Sequence, residues 1–571
     1  MIWNRARRKS HLSSPGERIM KQQRPFGLLR KLFQDRFFES DDVSPGGGFQ
    51  TNITQVLGLL LTSGFIVSFM LMPAADRIMN GHRGSDLDWA IRGLQLFSPS
   101  YTFAVIGFAA FFEWDMLFPN RRDFLILASF PVSLRDVFAA QFIALAKFLG
   151  LLIFAVNIFP TSFIALMRLS ARFRGTGLRL VLAEIGATVG VSSFAFFGVA
   201  ALQGVLINLT SPRLFRRISP FVQMCGMTLM ILSILTYPIY MQLLRHAANS
   251  HQLWLWLFPP VWFTGLYDLF LPHTHGLFVS LGVHSLKMLG AVIALFTLTW
   301  TAGFRRHYRR TLESEDSGPR VRSSDRWSRL VGSPQERAIF QFSGKTLARS
   351  RKHLMFLVTY LSVGISLAAN FAIVVRGGKM VLSQDGARAF PFLIAFFVVS
   401  GFRAVFQFPA ELASNWLFRV TESRWAEIAR SVVRKRVLVS GLAPVLLLLL
   451  PAEIAVWSGW RVPLHSVFQF AAGALLIELM FWTFDKVPFT CSYFPGRTNL
   501  SILFVLYLYG FTNYSFHMAD LELAVEHSAL YAGLFFTAAA GLLTLSWLRH
   551  PAPSAVRFDA SEPVIQTLDL T

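Results

Sequence analysis

The sequence predicts an all-α polytopic membrane protein of about twelve transmembrane helices in two parallel six-helix halves, each half preceded by an interfacial amphipathic helix. Three observations predict it. Hydrophobic residues fill 53% of the 571 positions, with 57 Phe, only 15% charged residues and a mean hydropathy of +0.48. The apolar residues run unbroken for about twenty positions at a time, the length that crosses a bilayer core, instead of forming the period-2 or period-3.6 stripes of a soluble fold. The 54 Lys and Arg lie in loops flanking those runs. The formal net charge of +22 therefore reads as a basic cytoplasmic face set against anionic lipid headgroups, and a nucleic-acid partner is not expected.

Residues 1–50 form the first predicted region. Arg5, Arg7, Arg8, Lys9, Arg18, Lys21 and Arg24 make a basic head. In the PFGLLRKLFQDRFF stretch that follows, Phe26, Leu29, Phe33 and Phe37 recur at helical spacing, the pattern of a helix lying along the inner leaflet. The region is too long, too basic and too interrupted for a cleavable signal peptide, so the N-terminus is expected in the cytoplasm.

The first unit, 51–304, offers six spans near 51–74, 98–112, 141–166, 180–208, 221–244 and 286–304. Between the last two, WLWLFPPVWFTGLYDLF is apolar and aromatic but broken by Pro259 and Pro260, so it reads as an interfacial or re-entrant piece. The stretch 305–352 turns abruptly charged and Ser-rich, a cytoplasmic linker that ends in the basic amphipathic ERAIFQFSGKTLARSRKH. The second unit, 353–548, repeats six spans near 354–375, 391–408, 437–457, 466–484, 500–516 and 530–548, followed by a cytoplasmic tail, 549–571. An even count in each half gives both halves the same orientation about an axis along the membrane normal. Arginine counting agrees in the loops 113–140 and 409–436 and in the linker, and the last external loop carries Asp520, Glu522 and Glu526. Arg168, Arg172, Arg174 and Arg179 fall on the external side, against the rule.

The segment 111–150 is chemically the richest. Trp114 and Phe118 suit the headgroup level, Pro119 ends the span, and Arg121, Arg122 and Asp123 face water. Pro131 and Ser133, with Arg135 two residues on, start a short projecting helix. The run Phe130-Pro131-Val132-Ser133-Leu134-Arg135, with Lys147 downstream, resembles the loop between spans two and three of the permeases of type-2 ATP-binding-cassette exporters. The resemblance implies that this loop is a coupling helix seated in a nucleotide-binding ATPase subunit. That partner would bind ATP and Mg, leaving this chain without a cofactor of its own in the bacterial inner membrane, embedded in lipid, with both termini cytoplasmic. The corresponding stretch of the second half, 408–436, lacks Pro-Val-Ser but keeps Trp416-Leu417-Phe418, then Arg419, Glu422 and Arg424. It resembles fused permeases of bacterial origin in which two units share one chain.

A charge inside a span costs roughly 3 kcal/mol on insertion scales, which makes Glu478, Glu184 and Lys147 candidates for a translocation path. Lys147 and Glu184 sit near span ends and can snorkel, while Glu478, in LLIELMFW, lies deeper, facing the other half or pairing with a neighbouring helix. Ser343-Gly344-Lys345-Thr346 imitates the end of a P-loop, but Ile339 stands where that loop needs Gly, and no strand precedes it. There is no HExxH, Gly-x-Ser-x-Gly or Asp-rich metal loop, His273 and His275 beside Asp268 read as a solvated loop, and Cys225 and Cys491 stand alone, so neither catalysis nor a metal is expected in this chain. Two other classes share the architecture. A secondary carrier of two six-span halves would show Gly-x-x-x-Asp-Arg-x-Gly-Arg-Arg after span two, where this chain has Arg121-Arg122 without the glycines. A polytopic glycosyl- or acyltransferase would need an acidic or His pair in a large external loop.

Overall fold

The computed structural model describes residues 27, 29, 31, 33, 53–81, 85–114, 117, 134–168, 177–250, 252–270, 276–313, 332–410, 425–457, 459–484, 487–490 and 500–548. It is about 89% helical. Among the described residues ten helices are long and apolar enough to cross a bilayer, which makes the chain a multi-pass α-helical membrane protein. Their outward faces carry large apolar side chains, among them Leu298 (67% exposed), Phe154 (60%) and Leu448 (78%). Water would punish such a surface and lipid covers it.

The first half comprises α1 (Ile53–Gly81), α2 (Ser85–Phe112), α3 (Leu134–Arg168), α4 (Gly177–Leu209), α5 (Pro212–Leu235), α6 (Tyr237–Asn249), α7 (Trp254–Leu257), α8 (Pro259–Phe270) and α9 (Gly276–Glu313). Helix α4 is its hub, packed on α2, α3, α8 and α9. The crossing expected over 221–244 is two helices. Pro238 has no N–H and its ring clashes with the carbonyl four residues back, so α5 stops at Leu235 and the amphipathic α6 starts anew. The stretch 254–270, broken at its prolines, is two short helices: α8 has 12 residues, about 18 Å of helix against a core of about 30 Å, and Pro260 to Asp268 are all buried. Helix α8 turns back against α9 with Gly265 on Gly282. A Cβ on Gly265 would lie 2.3 Å from the Phe278 carbonyl oxygen and 2.4 Å from the Gly282 nitrogen, so the two backbones touch where no side chain fits.

The second half comprises α10 (Pro334–Arg349), α11 (Arg351–Ala372), β1 (Ile373–Arg376), β2 (Lys379–Leu382), α12 (Gln384–Val405), α13 (Trp425–Val437), a π turn (Leu438–Leu442), α14 (Ala443–Val456), α15 (Arg461–Met480), α16 (Leu500–His527) and α17 (Ala529–Leu548). Its hub is α12, whose Phe392, Phe396, Phe402 and Phe406 are buried with Phe468 of α15 and Phe511 of α16. The antiparallel hairpin β1–β2 pairs Ile373 with Leu382 and closes through Gly377 and Gly378, both at positive φ (57° and 74°). It adds a two-stranded element to the expected all-α fold. The π turn has a local cause: Pro444 cannot donate and would clash with the carbonyl four residues back, and widening the preceding turn relieves it.

Two of the twelve expected spans are not among the ten. In α1 the apolar stretch among the described side chains is Leu60–Pro73. Helix α16 is 28 residues long but carries Asn513, His517, Asp520, Glu522 and Glu526, so the three acids expected in an external loop stand on helix instead. The halves meet along α5 and α11. There the Thr228 and Ser362 hydroxyls bond at 2.7 Å, and Asn370 donates to the Leu235 carbonyl where α5 ends. Replacing Gly265 by Ala forces the α8–α9 contact apart. The expected cost is about 1–3 kcal/mol, the range of overpacked sites, read as a lower melting temperature of the detergent-solubilised chain.

Candidate functional site

Most residues expected to couple the chain to a partner lie outside the described residues: Pro119, Arg121, Arg122, Asp123, Pro131 and Ser133 in the first half, and Trp416, Arg419, Glu422 and Arg424 in the second. So do His273, His275 and Cys491, and the loop 169–176. Arg135 is described, exposed in the first turn of α3. At the N-terminal end of the first half, Gly27, Leu29, Lys31 and Phe33 are helical with Leu29 and Phe33 buried, in keeping with the expected amphipathic segment.

Helix α10, the amphipathic helix ahead of the second half, packs on α13. Ser333 and Glu336 form a capping box at its start, with Pro334 in the first turn, where its missing N–H costs nothing. Glu336 then reaches across to α13, accepting from Ser431 (3.0 Å) and pairing with Lys435 (3.2 Å). Burial works to raise its carboxyl, and the bonds from Ser431 and Lys435, the Lys435 charge and the Ser333 backbone outweigh it, holding the group below its ordinary 4.5. One position on, Arg436 lies 3.5 Å from the Phe340 ring centroid and donates to the Phe340 carbonyl. The Ser-Gly-Lys-Thr run is mid-helix, inside α10. Its glycine has a packing role, since a Cβ on Gly344 would lie 2.5 Å from the Arg436 guanidinium.

The three intramembrane candidates separate. Glu478 on α15 pairs with Arg434 on α13 at 2.8 Å, with both side chains largely buried. Glu184 is fully buried on α4, accepting from Ser98 of α2 (2.9 Å) and from the Tyr267 hydroxyl of α8, so it ties the short α8 to the bundle. Lys147 lies well inside the 35-residue α3, with an exposed side chain. The structure does not bring these three together.

Two charged clusters were not anticipated. Arg92 of α2 pairs with Asp268 of α8 at 3.0 Å and lies 4.3 Å over Phe278. The second cluster gathers Arg388 of α12, Arg461 and His465 of α15, and Glu522 and Glu526 of α16 around a cleft that Trp457 also lines, with the Glu453 charge of α14 near Glu522. Glu526 takes Arg388 (3.4 Å) and Arg461 (2.6 Å), His465 Nδ1 contacts Glu522, and Arg388 lies 4.9 Å over the Trp457 ring. The spacing of Glu522 and Glu526, one helical turn apart, was the available signal. Arg92 and Arg388 both stand near the start of the second long helix of their half, each on an aromatic ring and each paired to an acid ahead of that half's last helix. No family model, curated protein or solved structure matches the chain.

Two outcomes follow from these pairs. Glu336→Ala removes both the capping box and the bridge to α13 and costs about 1–2 kcal/mol, while Glu336→Gln keeps the cap and loses less. Because the folded carboxyl is the more acidic, its stabilisation is complete above the unfolded value and is lost as pH falls through the lowered folded one. Thermal melts of wild type and Glu336→Gln should therefore converge only on the acid side of 4.5. Glu478→Ala strands the Arg434 charge and costs about 3 kcal/mol, more than Arg434→Ala and Glu478→Ala do together in the double variant.

Proposed function

We propose that the chain is the membrane-spanning permease subunit of an ATP-binding-cassette exporter, two six-span units in tandem, driven by separate nucleotide-binding subunits. The observation that carries this reading is the α10–α13 clamp. The second of the proposed coupling loops leads directly into α13, which is locked to the amphipathic α10 by Glu336, Lys435 and Arg436 and to α15 by Arg434 and Glu478. A push on that loop therefore reaches α10 and α15 through ion pairs and rings, without deforming a helix. The Pro-Val-Ser loop with exposed Arg135 is the proposed counterpart in the first half. The paired Arg92 and Arg388 arrangements support a shared plan for the halves, although α4 is the hub of one and α12 of the other. In this reading the loops, α10 and both termini face the cytoplasm of a bacterial cell, and the β1–β2 hairpin and the Glu522 cleft face outward.

A second reading is favoured by one feature. Glu453, Glu522 and Glu526 gather with His465 in a largely buried cleft, an arrangement suited to the proton coupling of a secondary carrier. The two readings part on purification of the tagged chain in mild detergent. The permease reading expects an ATP-hydrolysing subunit to co-purify, and Pro131→Ala with Arg135→Ala to weaken its association at least ~10-fold, the effect of losing about 1.4 kcal/mol of interface anchor. A purified chain that moves solute down a proton gradient with no ATPase present overturns it in favour of the carrier.

A further inference from the structure

We propose that the cleft between α12, α14, α15 and α16 is a proton-binding site in which Glu522 and His465 hold one proton between them. Charge balance is the first argument. Three carboxylates, Glu453, Glu522 and Glu526, face two guanidiniums, Arg388 and Arg461. Helix α17, packed on α15 and α16, has no charged residue from Ala529 to Leu548. Glu453 is 6% exposed and Glu522 4%, so with a neutral imidazole the cluster carries one negative charge in a place where an uncompensated charge is expensive. One added proton neutralises it.

Geometry says where that proton sits. Both guanidiniums go to Glu526, which leaves Glu522 with His465 Nδ1 as its contact. Loss of the proton would leave the Glu522 charge facing that of Glu453, so the proton is held by the imidazole on one side and the second carboxylate on the other. His465 is 8% exposed and its Nε2 is buried without a protein partner, which leaves Nδ1, against Glu522, as the ring's polar contact.

A second observation is independent of the acids. Gln469 is 2% exposed and stands one turn beyond His465 on the same face of α15, with neither amide atom bonded. Ser515, two turns before Glu522 on α16, is fully buried with an unbonded hydroxyl. A buried primary amide with no partner is costly, and water brought in from the cleft satisfies it. That water would hydrate the Glu522–His465 pair from below.

The test is infrared difference spectroscopy of the full chain in lipid nanodiscs, titrated from acid to alkaline pH, and it needs neither transport nor ATP. Carboxyl and imidazole bands should change in one titration. Glu522→Gln should abolish that carboxyl change. His465→Gln should abolish the imidazole change and move the carboxyl titration to higher pH, because the cation that favours ionised Glu522 is gone. Glu522→Asp keeps the acid and should keep the titration at a shifted midpoint, which decides the matter if Glu522→Gln does not fold. A carboxyl titration unaltered by both Glu522→Asp and His465→Gln, or none at all in the wild type, overturns the proposal.

Discussion

A lipid interior offers no hydrogen-bond partner, so a polar side chain carried into this bundle gains most where it finds one within the chain. The helices are registered by that demand. Gln223 of α5 donates to the Phe111 carbonyl at the end of α2 (2.6 Å), and Gln203 of α4 donates to the Trp114 carbonyl just beyond it (2.8 Å). Asn208 of α4 donates to the Thr299 carbonyl of α9 at 2.9 Å. Each amide satisfies a carbonyl of a neighbouring helix, so sliding one helix along another leaves two groups unpaired in hydrocarbon. Apolar contacts alone would tolerate such sliding, because lipid tails compete for them on equal terms.

The same demand divides the charged residues into two populations. Arg92 with Asp268, Arg434 with Glu478 and Lys435 with Glu336 are pairs that join one helix to another. They hold the amphipathic and short helices onto the crossing ones, where apolar burial alone gives no fixed position. The Glu522 cluster differs in having more acids than bases, and a surplus of that kind serves no packing purpose.

The fold class was legible because apolar runs of crossing length have one physical meaning, and the break ahead of the short α8 was legible in Pro259 and Pro260. The break after Leu235 was equally available in Pro238, but the apolar run hides it. The β1–β2 hairpin had its signal in Gly377-Gly378, two residues beyond the expected span 354–375, whose end its first strand takes over. Ion pairs are another matter. Nothing in LLIELMFW names Arg434, and Glu184 reads as a snorkelling end residue until Tyr267 arrives from 83 positions away. Acidic composition suggested an external loop around Asp520, whereas Glu522 and Glu526 are spaced to share one face of a helix. Partners brought together by tertiary packing leave no local mark, and sequence can only nominate the residues that will need them.

The π turn ahead of Pro444 is an inserted residue in a helix that otherwise runs from Trp425 to Val456. An added residue rotates everything before it by about 100° relative to everything after it, since a turn holds 3.6 residues. Consecutive helix residues point about 100° apart, so Arg434 turns to Glu478 on α15 while Lys435 and Arg436 turn to Glu336 and Phe340 on α10. The segment Leu438–Leu442 sets the phase of all three together relative to α14. Shortening it by one residue would turn α13 by one residue's angle against α14 and present each basic residue to its neighbour's partner, a change of address with no change of composition.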